Sequence, residues 1–201
     1  MKTDQKPRII IVGAGIGGLT AAASLLRRGF PVRVYEQAPA LGEIGAGIQS
    51  SANAVKVLYD LGLREELEKT VVRPQAFEFR RFDTAEMMHR IPLGAKHEQA
   101  NGAPYFHIHR ADLHELLAKA VLALDPDCIA LNARAEGFDE TADGVVLRLA
   151  DGTRATGEVL VGADGIKSVV RNLIMGPQPF TFWGVRGWYV CHQAGTDLHG
   201  E

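Results

Sequence analysis

The sequence predicts an α/β fold of three layers, in which a parallel sheet packs against helices and is interrupted by antiparallel strands. Three observations predict it. The apolar run Ile9 to Val12 passes through the glycines at 13, 15, 17 and 18 into an alanine- and leucine-rich segment, the order strand, turn, helix. A second passage of the same kind runs from Val161 through Gly162-Ala-Asp-Gly165. Between them, short alternating stretches with Asp-Gly turns at 143–144 and 151–152 read as antiparallel strands.

Each element has its own warrant. A helix is expected from Ile16 to Arg28, because the segment lacks proline and ends at Gly29 and Pro31 with Arg27 and Arg28 in its last turn. Val32 to Tyr35 is a second strand, ending in Glu36. Gln37 to Gln49, with glycines at 42, 45 and 47, reads as a loop. Ser50 or Ser51 can cap a helix running to about Tyr59 and stopped by Gly62, and Leu63 to Glu68 adds a helical turn. Phe77 to Ile91 alternates around Asp83-Thr84, the pattern of a hairpin. Lys96 to Gly102 is a polar loop, and Tyr105 to His109 a short strand.

An amphipathic helix follows, with Leu113, Leu116, Leu117, Ala120, Val121 and Leu124 on one stripe, Asp112 in its first turn and Pro126 as its stop. Strands are expected at Ile129 to Ala133, Glu136 to Thr141, Val145 to Leu149 and Thr153 to Val161. A last helix runs from Ile166 to about Leu173.

Composition narrows the function. The 201 residues are 46% hydrophobic and 23% charged, which is ordinary for a globular chain, and the net charge of −2 gives no footprint for nucleic acid. Cys128 and Cys191 form no CxxC pair, which fits a reducing cytoplasm. Lys2, Lys6 and Arg8 before an apolar stretch and Ala21-Ala-Ala-Ser24 outline a secretory leader, but glycines break that stretch, so a cytoplasmic protein is expected. No run approaches the ~18 apolar residues of a membrane span. A metal site is not expected: His114-Glu115 begins like HExxH, but Ala118 stands where the second histidine belongs.

The chemistry concentrates at the glycines. Gly13, Gly15 and Gly18 form G-x-G-x-x-G between a strand and a helix, as in a Rossmann-like βαβ unit that holds the pyrophosphate of a dinucleotide. Gly13 allows the turn, Gly15 lets the backbone approach a phosphate, and Gly18 lets the helix pack close to the strand. The helix N-terminus offers free N–H groups and positive partial charge. Glu36, roughly 20 residues on, can accept hydrogen bonds from ribose hydroxyls. Arg110, in His109-Arg-Ala-Asp-Leu-His114, stands at a helix start, where a guanidinium and N–H groups can face a phosphate or ring. Asp164 places a carboxylate at a strand's carboxyl edge, where it can also serve as a helix cap.

Together these stretches resemble the FAD-dependent aromatic hydroxylases, the single-component flavoprotein monooxygenases of the p-hydroxybenzoate hydroxylase type. Within that group the chain is similar to the salicylate hydroxylase and 3-hydroxybenzoate 6-hydroxylase branch. The matching segments are Ile11 to Gly18, Val34-Tyr-Glu-Gln37, Gly45-Ala-Gly-Ile-Gln49, His109 to Leu113 and Gly162 to Gly165, and the resemblance covers residues 8 to about 180.

It implies a Rossmann-like FAD-binding fold with FAD as cofactor, NADH or NADPH as co-substrate, and O2 with a small phenolic acid as the reacting partners. Gly13, Gly15 and Gly18 would flank the FAD pyrophosphate, Glu36 would bind the adenosine ribose, and Gly17 and Gln37 would also belong to the cofactor site. Arg110 would contact the cofactor between pyrophosphate and flavin, the Ala135 backbone would lie near the adenine, and Gly47 and Ile48 near the isoalloxazine. Asp164 would belong to the motif that serves both FAD and the nicotinamide coenzyme. The catalytic residues are not assigned. In related 6-hydroxynicotinate 3-monooxygenases the position of Gln49 is a histidine acting as base. Glutamine cannot take a proton at neutral pH, which favours the hydroxybenzoate reading.

The resemblance also implies a domain plan. Residues 1–180 would be the FAD-binding domain, with hairpin 76–92 on the substrate side, and 181–201 the start of a truncated or frame-disrupted substrate domain. Members of the family are longer, and their second half carries a Gly-Asp motif and most of the substrate pocket. No Gly-Asp dipeptide occurs here, and Phe180 to Trp188 keeps the family's aromatic character without its register. A frameshift or truncation near Thr181 is therefore hypothesised, to be tested by sequencing the gene. A homodimer is compatible with the resemblance for a full-length protein, and neither nucleic acid nor membrane is an expected partner.

Overall fold

The computed structural model describes residues 8–42 and 47–177. The expected changes of register near Thr181, and the segment 181–201, lie outside the described residues. In chain order the elements are β1 (Ile9–Val12), α1 (Ile16–Arg27), β2 (Val32–Tyr35), β3 (Gly47–Ser50), α2 (Ala52–Asp60), α3 (Arg64–Thr70), β4 (Ala76–Arg80), β5 (Met87–Pro92) and α4 (Ala95–Asn101). They continue with β6 (Phe106–His109), α5 (Arg110–Leu124), β7 (Ile129–Ala130), β8 (Ala135–Thr141), β9 (Gly144–Leu149), β10 (Arg154–Gly157), β11 (Val159–Gly162) and α6 (Val169–Met175).

The centre is a parallel sheet in the order β11-β1-β2-β7. The side chains of β1 alternate between two cores, as a strand's period of two requires. Ile9 and Ile11 join Leu19, Ala22 and Ala23 of α1 and Leu113, Leu117 and Val121 of α5. Ile10 and Val12 face the other way, onto Val145, Leu147 and Leu149 of β9. The third layer is the antiparallel sheet β10-β9-β8. Helices, parallel sheet and antiparallel sheet thus form the three predicted layers. All four strands of the parallel sheet end on one side, and the turns that follow β1, β2 and β11 converge there.

Five expectations are corrected. The loop Gln37 to Gln49 contains β3, which pairs antiparallel with β6 from Gly47↔His109 to Ser50↔Phe106. Lys96 to Gly102 is not a loop but α4, entered at Gly94 and closed by Gly102 in the left-handed region (φ +70°). The strand from Thr153 to Val161 is two strands. At Gly157 and Glu158 the chain leaves β9, its antiparallel neighbour, and joins β1 in parallel. A Cβ on Gly157 would stand 2.9 Å from Ile10 Cγ1, and the Glu158 N–H donates to the Arg8 carbonyl (3.0 Å), so packing and pairing both change there. The strand expected at Ile129 to Ala133 pairs only at Ile129 and Ala130. The last helix begins at Val169 rather than Ile166, because Ser168 is its N-cap and accepts from the Arg171 N–H (2.9 Å).

Candidate functional site: a dinucleotide cavity at the strand ends

The turn after β1 is held from three directions. Gly13 has φ +101°, and a Cβ there would lie 2.5 Å from the Ala163 carbonyl oxygen in the turn after β11. A Cβ on Gly18 would fall 1.9 Å from the Gly13 carbonyl oxygen. Neither position has room for a side chain, so the two glycines let helix α1 and both strand ends close on one another. Ala14, only 2% exposed, is fixed at both ends of its backbone. Its N–H donates to Glu36 Oε2 at 2.7 Å, and its carbonyl accepts from His114 Nε2 at 2.7 Å.

Helix α1 starts at Gly15, with no side-chain hydrogen bond capping it and no acidic residue in its first turn. An open helix start has N–H groups to offer an anion. Glu36 is anchored by two backbone donors, Ala14 N–H and Ala38 N–H (2.8 Å). Each carboxylate oxygen keeps lone-pair capacity for a further hydroxyl.

A cavity of about 370 Å³ lies over this turn. It brings together Gly13, Gly15, Glu36, Gln37, Arg110, Ala135 and Asp164, residues drawn from five separate stretches of the chain. Its size is in the range of small-ligand sites, which run from about 300 Å³ upwards. Sequence reasoning did not assign its remaining walls, among them Tyr35, Arg134 and Lys167. Arg134 and Lys167 add to Arg110 the positive charge that an anionic ligand requires, but they sit in irregular segments with no motif of their own.

Gly17 does not line this cavity. It is exposed, and a Cβ there would meet nothing within 4 Å. Gly18 supports the turn from beneath. Gly47 and Ile48 stand on β3, in the small β3-β6 sheet, and are not among the lining residues of the cavity. There Gln49 Oε1 accepts from the Tyr105 hydroxyl at 3.0 Å. Beside Tyr105, burial pushes the His107 imidazole below its ordinary pKa.

Asp164 takes up the capping role. Its carboxylate accepts from Ser168 Oγ (2.6 Å), Val169 N–H (2.6 Å) and Val170 N–H (3.2 Å), which closes the start of α6. Cys128 is no nucleophile. Burial first, then nearby Asp125, pushes its thiol up to about 11, so it stays protonated at neutral pH.

Sequence reasoning also missed the burial of His114 on the inner face of α5. The buried stripe of α5 is Leu113, His114, Leu117, Ala118 and Val121, rotated from the predicted one, and Leu124 is 46% exposed. The signal was present: His114 precedes Ala118 by four residues and therefore shares its face.

A parallel sheet whose first turn is bare of side chains, with an anchored carboxylate after the next strand, defines a dinucleotide-binding α/β domain. Residues 6–187 match the FAD binding domain family, and the chain belongs to it. It is 45% identical over 175 residues to a 3-amino-4-hydroxybenzoate 2-monooxygenase of Streptomyces platensis, covering 87% of this chain and 43% of that protein. It is 41% identical over 168 residues to 3-hydroxybenzoate 6-hydroxylase 1 of Aquipseudomonas alcaligenes, covering 84% and 43%. The fold superposes on Klebsiella pneumoniae HpxO complexed with FAD and uric acid with a TM-score of 0.73 at 31% identity, over 90% of this chain and 44% of that one. The match thus spans less than half the length of each of these two relatives. Among the described residues no helix is long and apolar enough to cross a membrane.

Proposed function

We propose that this chain is the FAD-holding part of a cytoplasmic flavin-dependent monooxygenase that uses NADH or NADPH and O2 to hydroxylate a small phenolic acid of the hydroxybenzoate kind. One observation carries the reading: five stretches of the chain converge on a single cavity at the strand ends, with an open helix start, an anchored carboxylate and cationic side chains. That donor set fits a dinucleotide. The start of α1 at Gly15 and the Arg110 guanidinium would hold the pyrophosphate. Glu36 would accept from ribose hydroxyls, and the backbone at Ala135 would border the adenine. FAD, when bound, supplies the redox chemistry that couples the nicotinamide donor to O2. The residues around it bind it, orient it and keep water from it.

The hydroxybenzoate class is supported by the two relatives above, whose names specify hydroxybenzoates. The proposed division places the FAD domain at 1–180, the hairpin 76–92 on the substrate side and the start of the substrate domain at 181–201. A second reading is a module that holds FAD without turnover. An absorbance spectrum of the purified protein with added FAD, followed by NAD(P)H oxidation with and without hydroxybenzoates, separates the cases. Bound flavin with substrate-stimulated oxidation supports the enzyme, and bound flavin without it supports the module. A protein that stays colourless in excess FAD but binds NAD would replace both with a nicotinamide-dependent dehydrogenase.

A further inference from the structure

Buried polar side chains need a reason, and among the described residues His114 belongs to no cluster that could hold a metal. It is 4% exposed, among the apolar residues of α5, and its Nε2 lies 2.7 Å from the Ala14 carbonyl oxygen. A carbonyl only accepts, so Nε2 carries the hydrogen and donates. The bond ties α5 to the glycine turn across 100 residues of sequence. Its importance lies in the peptide it holds. The carbonyl of Ala14 and the N–H of Gly15 belong to one planar trans unit and point in opposite directions. Fixing the carbonyl toward α5 therefore fixes the Gly15 N–H away from α5. That N–H meets no acceptor among the described residues, and Gly15 lines the proposed cofactor cavity. The Glu36 carboxylate holds the preceding N–H, of Ala14, so two side chains set the two peptide planes on either side of Ala14.

We propose that His114 is a positioning residue for the cofactor: by holding the Ala14 carbonyl it aims the Gly15 N–H at the pyrophosphate. The role rests on the dinucleotide reading above. It makes a distinction that simple packing does not. A ligand carrying the diphosphate depends on His114, whereas a ligand carrying only base and ribose does not.

The test compares ADP with adenosine by titration calorimetry on the full chain, in wild type, His114→Leu and His114→Gln. Leucine fills the space without a donor, and glutamine restores an N–H. The expected result is a loss of about tenfold or more in ADP affinity for H114L, the scale of one hydrogen bond involving a charged group, with adenosine affinity unchanged and ADP binding recovered in H114Q. Equal ADP affinity in wild type and H114L overturns the proposal. A parallel loss of ADP and adenosine also overturns it, since that is what a loosened core would produce.

A second measurement needs no variant. In wild-type protein labelled with 15N-glycine, ADP is expected to move the Gly15 amide resonance downfield and adenosine to leave it in place. A Gly15 amide indifferent to ADP that is nonetheless bound overturns the role of His114 alone. A wild-type protein that binds neither ADP nor FAD overturns the dinucleotide reading itself.

Discussion

Two strand-to-helix turns stand side by side on the same edge of the parallel sheet and are built oppositely. After β1 the chain enters α1 at Gly15 with no side chain on its first N–H groups. After β11 it enters α6 with Ser168 and Asp164 both on those groups. Both turns contain glycines and both line the cavity, so the difference lies in who satisfies the helix start. One is left for a ligand, and the other is closed by the protein itself. A glycine-rich turn becomes an anion site only when its donors are kept from the protein's own acceptors. In the first turn, Glu36 and His114 hold the Ala14 backbone from outside the helix.

The contrast can be broken most severely at Gly18. Gly18→Ala puts a methyl against the Gly13 carbonyl, and we expect a loss of about 3 kcal/mol in urea unfolding together with loss of FAD retention. Gly13→Ala combines a left-handed backbone with a clash at Ala163. The expected cost is about 2 kcal/mol, again with weakened flavin binding in a fluorescence titration. Asp164→Ala removes the acceptor of the Val169 and Val170 N–H groups at the start of α6, and a loss of about 1 kcal/mol is expected in the same unfolding experiment. If D164A proved as damaging to stability as G18A, the closed turn would be more than a cap. The smallest effect is at Gly17, where added side-chain atoms meet open space in an exposed first turn. Gly17→Ala is expected to raise stability by about 0.5 kcal/mol, read as a higher melting temperature.

These turns were largely legible before the structure. Strand, glycine spacing and Glu36 follow a pattern set by local backbone geometry, and the structure places them as read. What escaped reading was decided at a distance. β3 is a strand because β6 offers it an edge, and nothing in Gly-Ala-Gly-Ile announces that partner. α4 has no buried residue, so it carries no apolar period to detect, although Gly94 and Gly102 bracket it. The break at Gly157 was the most readable omission, since a glycine inside a strand marks a close approach. Arg134 and Lys167 reach the cavity from segments that come together only in the folded chain. His114 was hidden by expecting only apolar residues on the inner face of α5.

The pairing of β1 with β11 joins Ile9 to Val159 and Val12 to Gly162. Strand β1 therefore waits for one made about 150 residues later before both its edges are filled. At ordinary rates of synthesis that delay is about 8–30 s. During it, one edge of this apolar strand has no partner, and an unpaired apolar edge is open to pairing with another chain.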